Sequence, residues 1–196
     1  MKIYKVDTFE IKRFRPVGKG KAFENEFGFN KKENLQELKS LYQLIQKRKE
    51  IKIAVHDPLF YTIAYDNLIT SESLSPEEAH EKLYEIYGRI MGCLAGRVWI
   101  GIDPEGNVSP CPLLLYTGMK IGNIYKADLR EIITSSPELK WLEECKKNQT
   151  ACKYGLVCGG CKTHSAIVNS DYLSKDPLCW HDNYKCPAAI KKSADK

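Results

Sequence analysis

No stretch of this sequence stays apolar for the roughly 20 residues that a helix needs to cross a bilayer, so no membrane role is expected. Nor is there an apolar export signal. Met1-Lys2-Ile3 opens directly into charged sequence, which leads us to expect a cytoplasmic protein. A clustered basic face is missing too. The formal net charge is +5, but the 30 basic and 25 acidic residues are interspersed, and the basic run in the tail, Lys191-Lys192, is short. That pattern describes a solvated surface and argues against nucleic acid as a partner. The loop Arg15-Pro-Val-Gly-Lys-Gly-Lys21 is rich in glycine and lysine, yet it lacks the GxxxxGK[ST] spacing that cradles phosphates. Internal repeats and low-complexity segments are also absent.

Cysteine, by contrast, is plentiful. There are eight, and five of them (Cys145, Cys152, Cys158, Cys161 and Cys179) fall within 35 residues. Without an export signal, thiols at short fixed spacings are more often metal ligands than disulfides. The tract centres on Cys158-Gly159-Gly160-Cys161. Two glycines let the backbone turn sharply, so that both sulfurs can face one region of space. Their amides can also donate to sulfur.

Hydrophobic content of 43% and charged content of 28% are ordinary for a globular chain, and 196 residues suit one large domain or two small ones. Phe9–Phe14 reads as a strand. Asn30, with Glu33 three residues on, caps a helix whose apolar stripe is Leu35, Leu38, Leu41, Tyr42 and Ile45. Ile51–Val55 reads as a second strand ending at His56-Asp57-Pro58. Strand, helix, strand is a βα-type unit suited to a parallel sheet. His56 and Asp57, at a strand's carboxyl end, are candidate catalytic residues, with a simple turn before the proline as the favoured reading. Ser75-Pro76-Glu77-Glu78 opens another helix, carrying Ala79, Leu83, Ile86, Tyr87 and Ile90. The character changes at Gly92-Cys93. Beyond it, Val98–Ile102 and Val108–Pro110, joined through Asp103–Asn107, read as a hairpin that brings Cys93 and Cys111 together. Short helices are expected from Asp128 and from Ser136-Pro137-Glu138. No helix is expected to begin after Cys161.

Gly92-Cys93, Gly106-Asn-Val-Ser-Pro-Cys111, Ile121-Gly-Asn-Ile124, Cys152-x5-Cys158-Gly-Gly-Cys161 and Asp176-Pro177-x-Cys179 together resemble the SPASM domain. This is the C-terminal extension of many radical S-adenosylmethionine (SAM) enzymes, where it holds auxiliary 4Fe-4S clusters. The resemblance covers roughly residues 92–182. Residues 1–91, including Arg13-Phe-Arg-Pro-Val-Gly-Lys-Gly20, are similar to the closing strands of the partial (β/α)6 barrel in the same enzymes. It implies an α/β (α+β) fold: a barrel remnant over 1–91, a cysteine-rich auxiliary domain with a β-hairpin and short helices over 92–186, and a basic tail over 187–196. The details are most like the haem-biosynthesis and peptide-maturation branches.

Two departures stand out. The Cys-x3-Cys-x2-Cys motif that binds the SAM-cleaving cluster occurs nowhere in these 196 residues. The resemblance therefore implies a chain that is not catalytic alone, paired with an N-terminal radical SAM half or subunit and acting on a peptide or tetrapyrrole. SAM would be a cofactor only with that partner. Second, Gln149 stands where the family has a cysteine. Carried over, the first auxiliary cluster takes Cys93, Cys111 and Cys161, leaving a fourth position to a non-cysteine ligand or an open iron. The second takes Cys152, Cys158 and Cys179, completed by Cys145 or Cys186. Thiolates favour iron–sulfur clusters or zinc over hard cations. One or two 4Fe-4S clusters are the leading expectation. The alternative is a structural zinc or interaction module in which Cys158 and Cys161 share one ion. A thiol oxidoreductase built on Cys158-Gly-Gly-Cys161 is a third reading. His164 and His181 are nearby candidate ligands whose default role is outside the ligand set.

Overall fold

The computed structural model describes residues 6–48, 52–147 and 152–181. Strand β1 (Thr8–Lys12) pairs in parallel with β2 (Lys52–His56), with Lys12 opposite His56. Between them lie a 3-10 turn at Gly18–Phe23, the short α1 (Glu24–Phe27) and the long α2 (Lys31–Lys47). The strand–helix–strand reading is reproduced, as is the cap. The Asn30 side chain accepts from the Lys32 and Glu33 amides, and Glu33 reaches back to the Asn30 amide at 2.9 Å. The crossover from β1 to β2 is what a parallel pair demands, because no tight turn can connect parallel strands.

Helix α3 (Phe60–Ser71) follows β2, then α4 (Pro76–Tyr87), opened by a capping box between Ser75 and Glu78. The sequence gives no periodic sign of α3, for a physical reason. Phe60 to Tyr65 are all buried, so the first half of the helix is enclosed on every side rather than along one stripe. It forms the centre of the larger core with Val55, Leu59, Leu83 and Met91. Fully burying each side chain of that size contributes roughly 1.5–3 kcal/mol. That core also takes in Tyr154, Val157, Cys158, Leu178 and Cys179, so the cysteine tract packs directly against α3 and α4.

The expected hairpin forms as β3 (Gly101–Ile102) and β4 (Asn107–Ser109), with β5 (Gly122–Asn123) as a third antiparallel strand. It begins later than the apolar run suggests. Residues 98–100 precede β3, and Trp99 instead makes an isolated bridge to Ala95. The turn is closed by side chains. Asp103 accepts from the Asn107 amide and side chain, both at 2.8 Å, and Asn123 donates to the Glu105 carbonyl at 2.9 Å. Helices α5 (Leu129–Ser135) and α6 (Pro137–Lys147) lie where their caps, Asp128 and Ser136, predict them. One expectation is overturned. Helix α7 (Lys162–Asn169) starts immediately after Cys161, which is its N-cap residue. Glycine 160 at φ +63° lets the chain turn from the thiol tract into it. A smaller core gathers Leu114, Leu142, Tyr172 and Leu173 around Cys111 and Cys145.

Candidate metal centres

The thiols separate into two sets. Cys93, Cys111 and Cys161 line a cavity of about 400 Å³, together with His56, Arg15, Trp99, Leu94 and Thr163. Cys145, Cys152, Cys158 and Cys179 line a narrower one of about 30 Å³, with Tyr154, His181 and Asp176 on its wall. Each expected trio thus faces one shared space. The neighbours Cys158 and Cys161 face different spaces. Gly159 and Gly160, both at positive φ, turn the backbone between them. Among the described residues, no three His, Cys, Asp or Glu side chains converge closely enough to hold a single ion. Cys145 is buried and disulfide-bonded, so ligation there requires its reduction to a thiolate. Cys186, Gln149 and the tail from 187 lie outside the described residues.

The two cavities are tied together by backbone. The Cys93 amide donates to the Cys158 carbonyl at 2.8 Å. This close crossing needs Gly92, whose φ is +73° and whose missing Cβ would stand 2.7 Å from the Val157 carbonyl oxygen. The hairpin then returns Cys111 to the same wall, and the Pro110 carbonyl accepts from the Gly96 amide at 2.7 Å.

Donors surround the sulfurs. Arg15 Nε donates to Cys161 Sγ at 2.9 Å, and its two terminal nitrogens are held by the Arg13 and His56 carbonyls, each at 2.9 Å. The Gly160 amide donates to Cys158 Sγ at 3.3 Å, and the Thr163 hydroxyl to Cys111 Sγ at 3.8 Å. Burial pushes the Cys158 thiol well above its ordinary pKa and raises Cys111 and Cys179 as well. Enclosed thiols that resist ionising alone become good thiolate donors once a metal supplies positive charge. Together with the aimed hydrogen-bond donors, this donor set suits thiolate ligation of a metal or iron–sulfur cluster.

Beneath the Cys158–Cys161 turn lies a buried ion cluster. Asp176 receives Arg13 Nη2 at 2.6 Å and Nη1 at 3.3 Å, the Cys161 amide at 2.7 Å and the Leu178 amide at 3.1 Å. Burial alone would raise its pKa. The Arg13 charge, with hydrogen bonds from Arg13 and the Cys161 amide, outweighs that and holds the carboxyl well below the usual range. Asp57 lies 3.5 Å from Arg13 Nε, and there burial wins and the pKa is raised. Arg13 and Asp176 went unassigned in the sequence because charged residues read as surface there. Their partnership spans 163 positions and leaves no local pattern.

The histidines divide clearly. Asp57 behaves as the expected turn residue, with its side chain accepting the Leu59 amide at 3.0 Å. His56 departs from that turn reading, because its ring enters the wall of the larger cavity, stacked on Trp99. Burial lowers its pKa against the pull of Glu10. His164 Nδ1 lies 3.6 Å from Asp176 Oδ1 and lines neither thiol cavity. His181 lines the narrower one, packed on Tyr154 with Nε2 at 3.3 Å from the Thr62 hydroxyl.

Residues 93–162 match the family model of the SPASM iron-sulfur cluster-binding domain. The chain is similar to AdoMet-dependent heme synthases from Oleidesulfovibrio alaskensis, at 31% identity over 104 residues, and Nitratidesulfovibrio vulgaris, at 31% over 91 residues. These alignments cover 52% and 45% of this chain and 26% and 24% of the relatives, so the chain spans about a quarter of their length. No solved structure matches it. No helix among the described residues is long and apolar enough to cross a membrane.

Proposed function

We propose that this chain is the auxiliary-cluster part of a radical SAM system that acts on a tetrapyrrole, in haem biosynthesis, rather than on a peptide. The observation that carries the reading is the sorting of six free thiols into two trios around two cavities. A shared zinc ion would need Cys158 and Cys161 on one side. An oxidoreductase would need them facing each other with one thiol readily ionised, whereas burial pushes Cys158 the other way even though α7 starts at Cys161.

Cys93, Cys111 and Cys161 would hold one 4Fe-4S cluster, and Cys152, Cys158 and Cys179 the other, with Cys145 or Cys186 completing it. Bound there, such clusters supply electron transfer. The chain's own contribution is positioning and charge. The Arg15 guanidinium and the Gly160 amide stabilise negative sulfur, which raises the potential at which an electron is accepted. Leu94, Ala95, Trp99, Ile100, Pro112 and Leu113 give the larger cavity an apolar wall, and Lys12 stands at its edge. Its volume lies in the range of small-molecule sites. An apolar wall with basic residues suits a flat ring system bearing carboxylates, and the relatives' printed name agrees with that class. SAM cleavage would come from a separate segment or subunit carrying Cys-x3-Cys-x2-Cys. The β1–α2–β2 unit would then be the closing part of its (β/α) barrel.

Anaerobic reconstitution with iron and sulfide, followed by metal analysis, tests this. The wild type should bind about eight irons per chain, and Cys93→Ala/Cys111→Ala and Cys158→Ala/Cys179→Ala should each lose about four. Tight zinc with no iron–sulfur absorption would sink the reading and leave a structural zinc module.

A further inference from the structure

The larger cavity brings three thiols together and is offered no fourth among the described residues, because Cys145, Cys152, Cys158 and Cys179 line the narrower one. Every iron of a four-iron cluster takes a ligand outside the cluster, so three thiolates leave one position open. We propose that His56 fills it through its imidazole, making the larger site a three-cysteine, one-histidine centre. The inference rests on the cluster reading above and adds a ligand that the cysteine pattern does not contain.

Four observations carry it. The His56 side chain is only 8% exposed and lies in the wall of the cavity that Cys93, Cys111 and Cys161 line. Both ring nitrogens are buried with no hydrogen-bond partner, although a histidine placed for packing is normally satisfied by one. The ring is held in place: it stacks on Trp99 at 5.3 Å between centroids and 27° between planes. Its backbone is held by the same guanidinium that touches the Cys161 thiol. Arg15 Nη2 donates to the His56 carbonyl and Arg15 Nε to Cys161 Sγ, each at 2.9 Å. One planar fork therefore fixes the spacing between the His56 backbone and the Cys161 sulfur.

Glu10 completes the arrangement. Its Oε2 lies 3.7 Å from His56 Nε2, reaching from a position on β1 two residues before Lys12, the register partner of His56. Metal-bound histidines commonly present one ring nitrogen to a carboxylate and the other to the metal, and the carboxylate fixes the tautomer and strengthens the donor. With Nε2 toward Glu10, Nδ1 is the nitrogen left for iron.

The test uses the full chain, reconstituted anaerobically and reduced, with pulsed EPR as the readout. Wild type should show a strongly coupled nitrogen whose signal changes when only histidine is labelled with 15N. His56→Ala and His56→Gln should abolish that coupling. His56→Cys should keep the iron and sulfide content of wild type while the nitrogen signal disappears, which separates ligation from folding. A cluster that forms without coupled nitrogen, or with a coupling that survives His56→Ala, overturns the ligand assignment alone. If Cys93→Ala loses no iron, the larger cavity is not a cluster site, and the ligand assignment falls with the cluster reading.

Discussion

At the scale of single residues, Asp176 carries the greatest consequence for its size. Its two oxygens accept from Arg13 and from the amides of Cys161 and Leu178, so one carboxylate fixes the start of α7 and the approach to Cys179. Removing one partner of a buried pair leaves the other charge stranded and costs roughly 3–5 kcal/mol. Asp176→Asn should therefore lower unfolding free energy by about that amount in chemical denaturation. Asp57→Asn should cost clearly less, since burial already disfavours the Asp57 anion. The pH dependence has a definite sign. The native state holds Asp176 ionised to lower pH than the unfolded chain, whose carboxyl keeps the ordinary value of 3.8. Its contribution is present in full above that value and is lost as pH falls toward the lowered native one. Denaturation curves from pH 6 down to the acid limit should show the wild type losing stability more steeply than Asp176→Asn. Parallel slopes would show that the ion cluster does not act through Asp176.

At the scale of elements, the chain was legible wherever a local rule determined the structure. Asn30 with Glu33, Ser75 with Glu78, and Asp128 each open a helix where capping chemistry predicts it, and the Asp103–Asn107 turn closes the expected hairpin. The two trios came from the resemblance to the SPASM domain and not from spacing alone, and Cys93, Cys111 and Cys161 line one cavity while Cys152, Cys158 and Cys179 line the other. Two helices were hidden. The first half of helix α3 is buried all round and shows no 3.6-residue stripe, and α7 begins at a cysteine rather than at Ser, Thr, Asp or Asn. Gly92 gives the element-scale prediction. A side chain at φ +73° is strained by about 1–3 kcal/mol before any contact is counted. The added Cβ would also meet the Val157 and Cys158 carbonyl oxygens at 2.7 and 2.8 Å. Gly92→Ala should thus part the strip carrying Cys93 from the strip carrying Cys158 and lower iron loading at both sites. A variant with full iron and an unchanged melting temperature would show that the crossing does not position the thiols.

At the scale of the whole molecule, the open side is the two-stranded parallel sheet. Parallel strands are ordinarily covered on both faces, and isolated pairs are rarely stable. Here Thr8, Phe9, Glu10 and Lys12 of β1 are exposed, with Phe9 at 48%. The cysteine tract covers α3 and α4 instead, through Tyr154, Val157 and Leu178, and Lys153 and Tyr154 both reach Asp66. That side of the first 91 residues is closed. Among the described residues β1 pairs with β2 alone, so its outer edge suits another strand, such as the proposed radical SAM half would supply. Amide hydrogen exchange on this chain alone should therefore show β1 exchanging far faster than α3. Adding a polypeptide that carries Cys-x3-Cys-x2-Cys and the remaining strands should protect β1 selectively, leaving α3 unchanged. If β1 is as protected as α3 in a monodisperse monomer that unfolds cooperatively, the edge needs no partner, and the proposed assembly with a radical SAM half loses its structural support.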